Sequence, residues 1–231
     1  DRLTLQSRNG TFLVPISCRL HACESMGNFV LEGIIDFWLD ESPESRYLQD
    51  QVDLQMIPFF DKDGVEEGDQ GKFRLPHDHN RDFSETPIYA ASKAFMEQFP
   101  GWRGRMQLSI DLHCPWIRDG RNESLFIIGE PQPWQQEVDR FVGWLQRTQR
   151  GELIYDPARN IPFGEEWNTG AGRTFTRWIR EKHPDCCPLA VEVPYALSNG
   201  QEMSARAARG FGRDLARAMS LYLSDAAERG K

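Results

Sequence analysis

Stretches of closely spaced apolar residues alternate along the chain with stretches whose apolar positions recur every three or four residues. The first pattern predicts β-strands and the second predicts amphipathic helices. The predicted strands lie at residues 11–20, 53–60, 106–113, 125–129 and 189–193. The predicted helices lie at residues 25–40, 87–99, 131–149, 173–182 and 202–228. Residues 151–169 show no period and are predicted to form a loop.

This alternation of strands and helices predicts an α/β fold. We expect one domain over residues 1–231, built on a mixed, mostly parallel sheet with helices on both faces. No repeat, low-complexity tract or flexible linker divides the chain.

Charge and composition narrow the classes of partner. The 231 residues contain 27 Lys and Arg against 35 Asp and Glu, a net charge of −8 at pH 7. Duplex DNA and anionic membranes are bound through basic clusters, so we expect neither nucleic acid nor a membrane as a partner. Five cysteines without a repeating spacing favour a reduced, cytoplasmic protein. Because the chain begins with Asp1, a lost signal peptide is the alternative.

Polar residues follow three predicted strands, at the ends where α/β sheets bind ligands. The segment LHACE carries His21 and Glu24, and IDLH ends in His113. Two His and one carboxylate can bind a catalytic zinc and leave the fourth position to water. An isolated His-x-x-Glu pair is weak support for a zinc site. His21 could simply form a hydrogen bond at the end of a strand, and Glu24 could stabilise the N-terminus of the following helix. Glu192 lies among apolar residues, where a carboxylate is costly unless it faces a polar site or a metal.

The order of motifs along the chain strengthens the functional interpretation. After LHACESMGNFVLEGIIDFWL come the turn DKDG at residues 61–64, then HNRDF, IDLH and EVPY. This order resembles the zinc carboxypeptidase family typified by pancreatic carboxypeptidase A. In that family a His-x-x-Glu turn, an Asn-Pro-Asp-Gly turn, an Asn-Arg pair, a third zinc ligand and a catalytic Glu follow one another. The resemblance covers residues 7–228 and implies the zinc carboxypeptidase-like fold, with an N-terminal hairpin that is shortened or missing.

The resemblance implies a role for each matched residue. Glu192 is the implied general base, which takes a proton from zinc-bound water. Asn80 and Arg81 are implied to bind the terminal carboxylate of the substrate, a task that suits the planar guanidinium. Arg74 is the expected partner of the developing oxyanion, with Lys72 as a close rival and a solvated loop cation as the alternative. The implied zinc ligands are His21, Glu24 and His113.

The chain departs from the family pattern at several positions. Cys23 stands where the pancreatic enzymes have an Arg, and Lys62 stands where the turn usually has Pro. No Tyr follows the NTGAG stretch at residues 168–172, where the capping Tyr of the family is expected, and Tyr155 is a weak substitute. Substrate preference is therefore the least determined property.

Two polar clusters allow a second interpretation. His77 and His79 flank an Asp beside Asn80, and either bind a second metal or, as we favour, support Arg81 and the zinc ligands. Residues 61–69 resemble part of a calcium loop but lack its full pattern, which favours a solvated turn.

These observations predict a zinc-dependent metallocarboxypeptidase, a hydrolase acting on the C-terminal amide bond of peptides. One alternative is a zinc amidase or deacylase acting on acylated amino acids or peptidoglycan stem peptides, and another is a non-catalytic, metal-stabilised binding module. Both enzymatic interpretations predict a substrate with a free carboxylate. Arg74, Arg103 and Arg105 also allow an acidic terminal residue as substrate.

Overall fold

Six strands form one twisted sheet in the computed structural model, which describes residues 2–102, 104–118 and 120–229. The strands are β1 (Leu3–Leu5), β2 (Phe12–Cys18), β3 (Val52–Ile57), β4 (Leu108–His113), β5 (Phe126–Ile127) and β6 (Cys187–Glu192). Their order is β1-β3-β2-β4-β6-β5. The four central strands are parallel, and β1 and β5 run antiparallel at the two edges. This confirms the predicted mixed, mostly parallel sheet.

Seven helices and a small hairpin surround the sheet among the described residues. The helices are α1 (Met26–Leu39), α2 (Arg46–Gln51), α3 (Lys62–Glu67), α4 (Ala90–Gln98), α5 (Trp134–Thr148), α6 (Phe175–Lys182) and α7 (Ala205–Arg229). The hairpin strands are β7 (Leu197–Ser198) and β8 (Gln201–Glu202), and short 3-10 turns lie at His79–Arg81, Phe99–Trp102 and Pro157–Arg159. None of the described helices is both long and apolar enough to cross a membrane.

The two faces of the sheet carry separate apolar clusters, because successive side chains of a strand point to opposite faces. On β2, Val14 packs into the cluster that α1, α5 and α7 cover, whereas Leu13 packs into the other cluster with α4 and α6. Helices α1 and α7 approach closely at Gly33, where a Cβ would lie 2.0 Å from the carbonyl oxygen of Arg209. The prediction of helices on both faces is confirmed.

The long elements follow the predictions to within a few residues, and the short ones do not. α3 occupies part of the predicted turn, because the Asp61 side chain accepts a hydrogen bond from the Gly64 amide and caps a single helical segment. That segment ends at Gly68, whose φ of 77° is left-handed. β1 and α2 were not predicted, and β5 is shorter than the predicted strand at 125–129.

The topology brings the polar strand ends together. In the register of β4 and β6, His113 lies opposite Glu192. β2 pairs with β4 on the other side, with Cys18 opposite Leu112. The turn after β2, the end of β4 and the end of β6 therefore meet at the same edge of the sheet.

Candidate metal centre and active site

The turn between β2 and α1 and the end of β4 bring three predicted zinc ligands together. Glu24 is fully buried, and its two carboxylate oxygens each lie 2.8 Å from a histidine Nδ1: Oε1 from His21 and Oε2 from His113. One ligand atom from each residue lies within 4.8 Å of the other two. Within the described parts of the chain, no other group of three or more His, Cys, Asp or Glu side chains meets this test.

Further polar groups hold the far side of each imidazole. Asp111 Oδ2 lies 2.8 Å from Nε2 of His113, and its Oδ1 accepts a hydrogen bond from Ser17 Oγ at 2.7 Å. Asp78 Oδ1 lies 3.1 Å from Nε2 of His21. A carboxylate on one ring nitrogen fixes the tautomer and leaves the other nitrogen free to bind a metal. Sequence reasoning gave Asp111 no role, although it precedes His113 by two positions, whereas Asp78 belongs to the cluster at residues 77–79 that was expected to support the zinc ligands.

The donor set fits a zinc ion. Two neutral imidazoles and one carboxylate are a common catalytic zinc set, with bonds of about 2.0–2.2 Å. Both Nδ1 atoms already face the Glu24 carboxylate, so the three residues present their ligand atoms to one another. Burial alone would raise the pKa of Glu24, but His21, His113 and Lys72 outweigh it and hold that pKa well below its usual range. The carboxylate is therefore ionised, as a ligand must be.

Glu192 faces the same space from the end of β6. Its side chain is buried, and Oε2 has no hydrogen-bond partner among the described residues. Burial raises the pKa of Glu192 above its ordinary value, although Lys72 and His113 act in the opposite direction. A buried carboxylate with a free oxygen and a raised pKa is suited to accept and return a proton.

Lys72 and Arg74 occupy different surroundings, although they are two residues apart. Lys72 Nζ lies 2.5 Å from Glu24 Oε1 and 2.5 Å from the carbonyl oxygen of Cys114. Burial would lower its pKa, but Glu192 and Glu24 raise it, so the ammonium stays charged.

Arg74 instead points towards α3 and is absent from the described residues that line the cavity. Its guanidinium pairs with Asp69, with Glu67 at 3.4 Å and with Asp61 at 3.5 Å. Three carboxylates of the acidic turn thus hold the Arg74 side chain away from the cavity, whereas Lys72 lines it.

A cavity of about 240 Å³ opens at this edge of the sheet. The predicted site residues that line it are His21, Asn80, Arg81, His113 and Glu192. Arg81 is half-exposed, and its Nη1 donates to the carbonyl oxygen of Asn80 at 2.8 Å. The Arg81 side chain passes directly over Gly172, whose φ is 94°. A Cβ atom added at Gly172 would lie only 2.9 Å from Cδ of Arg81. The NTGAG stretch therefore supplies a close support for Arg81.

Asn80 is fixed on two sides. Its Oδ1 accepts a hydrogen bond from the Phe175 amide at 3.0 Å, and its Nδ2 lies 3.3 Å from Nε2 of His113. The start of α6 thus orients Asn80 beside the metal ligands.

Among the described residues, neither alternative cluster brings three metal-binding side chains together as the His21–Glu24–His113 cluster does. His77 Nε2 lies 2.8 Å from Asp82, and the His79 ring stacks on Tyr89 with centroids 3.6 Å apart. Asp78, which lies between these two histidines, contacts His21 at 3.1 Å and Arg81 at 3.8 Å and so makes the supporting contacts. Asp61 caps α3, so the acidic segment is a helix and not a calcium loop.

Two other residues singled out in the sequence, Tyr155 and Arg105, lie elsewhere. Tyr155 is buried and its hydroxyl donates to Asn160 at 2.9 Å, so it does not cap the cavity. Arg105 Nη2 lies 2.5 Å from Asp53, and Arg103 falls outside the described residues.

One charged pair in the cavity carries no sequence motif. Glu130, just after β5, and Arg180, on α6, form an ion pair and both line the cavity. They are fifty positions apart, and no local pattern marks either of them.

Comparisons with known proteins agree with the motifs and the fold. No protein-family model matches the chain. Cytosolic carboxypeptidase 2 of Homo sapiens is 27% identical over 124 residues, which is 50% of this chain and 13% of that protein. The chain thus spans only a small part of the length of this curated relative.

Solved structures match over nearly the whole chain. A putative carboxypeptidase from Burkholderia mallei has a TM-score of 0.76 at 18% identity, covering 97% of this chain and 60% of the other. A metallo-carboxypeptidase from Pseudomonas aeruginosa, solved with (2-guanidinoethylmercapto)succinic acid, has a TM-score of 0.72 at 18% identity, with coverage of 97% and 60%. The resemblance predicted from the sequence is confirmed: the chain has a metallo-carboxypeptidase-like fold, and half of it is similar in sequence to cytosolic carboxypeptidases.

Proposed function

We propose that the chain is a zinc-dependent metallocarboxypeptidase that hydrolyses the C-terminal amide bond of peptides. One observation carries the proposal: Glu192, with an unpaired buried oxygen, shares a cavity with the His21–Glu24–His113 cluster and with the guanidinium of Arg81. A pure binding module needs neither a general base nor a free carboxylate beside its metal. The arrangement therefore favours catalysis over the non-catalytic alternative.

Arg81 and Asn80 bind the terminal carboxylate of the substrate in this proposal. The charged, planar guanidinium of Arg81 matches a carboxylate in two parallel hydrogen bonds. Asn80, held by the Phe175 amide, lies between Arg81 and His113. Binding at this position brings the last amide bond of the peptide to Glu192.

Hydrolysis then needs one proton to be moved. A zinc ion held by the cluster supplies positive charge that acidifies water and polarises a carbonyl. Glu192 accepts a proton as the water oxygen bonds to the amide carbon. It then returns the proton to the amide nitrogen as the C–N bond breaks, which releases a neutral amine.

Lys72 supplies the positive charge that the sequence assigned to Arg74. Its ammonium is buried between Glu24 and the end of β4 and lines the cavity, whereas Arg74 is neutralised by the acidic turn. A fixed cation near the reacting carbonyl stabilises the negative charge that develops on its oxygen.

Peptides are favoured over acylated amino acids by the cavity mouth. Four exposed or partly exposed aromatic side chains line it: Phe73, Trp116, Phe163 and Trp167. The rings of Phe73 and Trp116 lie 5.5 Å apart. Exposed aromatic groups at the edge of a cavity suit the residues that precede the scissile bond of a peptide.

Metal analysis combined with hydrolysis tests the function. We expect about one zinc per chain and release of single residues from peptides with a free C-terminus, but not from peptide amides. Glu192→Gln should keep the metal and lose hydrolysis, whereas Glu202→Gln, on the exposed hairpin, should change neither. A native protein without zinc would refute the proposal, and turnover of acylated amino acids alone would favour the amidase alternative.

We also infer a cytoplasmic location. The curated relative carries the word cytosolic in its name, and four of the five cysteines are buried, free thiols.

A further inference from the structure

Glu24 is fully buried, and three side chains share its two carboxylate oxygens. Oε1 lies 2.8 Å from Nδ1 of His21 and 2.5 Å from Nζ of Lys72. Oε2 lies 2.8 Å from Nδ1 of His113. Histidines that bind a metal are neutral. Among the described residues, Lys72 is therefore the only partner of Glu24 that carries a permanent positive charge.

The ammonium group of Lys72 also has partners that do not depend on Glu24. Nζ donates to the carbonyl oxygen of Cys114 at 2.5 Å and lies 6.0 Å from the centre of the Trp116 ring. Glu192 attracts the ammonium electrostatically from the end of β6. A lysine with these contacts can leave the Glu24 carboxylate and still remain at the cavity.

The buried carboxylate of Glu24 needs a positive partner. A buried carboxylate that loses its counter-charge strongly destabilises a fold, because an uncompensated charge remains in a medium of low dielectric constant. Lys72 supplies this counter-charge, and a divalent ion held by the His21–Glu24–His113 cluster supplies it equally. The ammonium and the ion are thus alternative partners of the same carboxylate.

We propose that Lys72 competes with the metal ion for Glu24 and so limits the affinity of the site for zinc. Before a metal binds, the ammonium stabilises the buried carboxylate. It leaves Oε1 when an ion bonds to Glu24, because two cations at one carboxylate repel each other. The Cys114 carbonyl and Glu192 then hold the ammonium at the cavity. This inference rests on the zinc site of the proposed function, but not on the hydrolysis of any substrate.

The competition predicts an effect opposite in sign to that of a supporting residue. Loss of a group that orients a metal ligand, such as Asp111 beside His113, weakens metal binding. Loss of the Lys72 ammonium instead makes the site more negative by one charge, directly beside a ligand oxygen. A divalent ion is then attracted more strongly.

Zinc affinity, measured by competition with a chelator, tests the proposal. We expect Lys72→Met to bind zinc about 10- to 100-fold more tightly than wild type. Lys72→Arg keeps the charge and should have an affinity closer to that of wild type than to that of Lys72→Met. Lys93→Met, which removes an exposed lysine from α4, should leave the affinity unchanged.

The thermal unfolding temperature is a second measurement, independent of the first. After zinc has been removed with a chelator, Lys72→Met should unfold at a lower temperature than wild type, because Glu24 then lacks a counter-charge. Added zinc should raise the unfolding temperature of this variant by more than that of wild type. If Lys72→Met does not fold without zinc, the double variant Lys72→Met/Glu24→Gln lacks both charges and should recover the stability of the metal-free protein.

The outcomes distinguish the inference from the proposed function. If wild type binds zinc but cleaves no peptide, the proposed function fails, and tighter zinc binding by Lys72→Met still supports the inference. If wild type cleaves peptides and Lys72→Met binds zinc equally or more weakly, the inference alone is overturned. Absence of zinc binding in both proteins overturns both.

Discussion

Replacing Lys72 by Met should slow peptide hydrolysis much more than replacing Arg74 by Met. Lys72 Nζ is 2.5 Å from Glu24 Oε1, and its side chain is only 14% exposed. Removal of one preorganised group that stabilises an oxyanion typically costs about 10²–10³-fold in kcat, or about 2.7–4 kcal/mol. We therefore expect a loss of that size for Lys72→Met.

Arg74→Met should lose only contacts with the acidic turn. Two of its three partners, Glu67 and Asp69, are 66% and 43% exposed, and such surface ion pairs contribute about 0–1 kcal/mol each. We expect kcat within about threefold of wild type and a small decrease in thermal stability.

The assay must separate catalysis from metal binding, because Lys72 contacts a zinc ligand. Zinc content is measured for each variant, and kcat is expressed per bound zinc under saturating peptide. Lys72→Arg provides a control that keeps the charge and should recover part of the lost rate. A large loss for Arg74→Met together with near-normal kcat for Lys72→Met would refute the assignment of the oxyanion cation.

Three further outcomes follow from the described contacts. Asp111→Asn should weaken zinc binding about 10- to 100-fold in competition with a chelator, because it removes the carboxylate that orients His113. Asp53→Asn should destabilise the fold by about 2 kcal/mol at pH 7, measured by urea unfolding. Burial raises the pKa of Asp53, but hydrogen bonds from Arg105 and a serine outweigh it and hold this pKa below its ordinary value. The stabilisation by Asp53 is therefore present above the unfolded pKa and is lost as pH falls through the folded pKa. The difference in stability between wild type and Asp53→Asn should shrink below about pH 4. Gly33→Ala should cost about 1–3 kcal/mol or more, because its Cβ would meet the backbone of α7 at 2.0 Å.

The sequence was most informative where function is encoded in local spacing. His21 and Glu24 occupy one turn, and His113 and Glu192 each end a strand, so an α/β topology is enough to bring them together. Long apolar periods likewise located α1, α5 and α7 to within a few residues. The short elements were not predicted, because a single cap or a single neighbouring strand stabilises them. Neither feature produces a hydrophobic period in the sequence.

The choice between Lys72 and Arg74 depended on tertiary structure. Both lie in a segment without a period, and the acidic residues between Asp61 and Asp69 read as a solvated turn. Part of that turn folds into α3 and brings several carboxylates together. Arg74 forms ion pairs with these carboxylates, whereas Lys72 lines the cavity. The local balance of charge, which the motif does not record, thus decides which of the two side chains lines the cavity.

Charge balance also explains how an acidic chain can bind an anionic substrate. The cavity lining contains as many basic as acidic side chains, with Lys72, Arg81, Arg177 and Arg180 beside Asp78, Asp111, Glu130 and Glu192. The lining is therefore close to neutral, although the whole chain carries −8. A divalent ion at the His–Glu–His cluster adds positive charge in a site shielded from water, where its field acts over a longer range. In the proposed function, an ion that activates water would also favour the carboxylate at Arg81, so catalysis and recognition of the chain end would both depend on the metal.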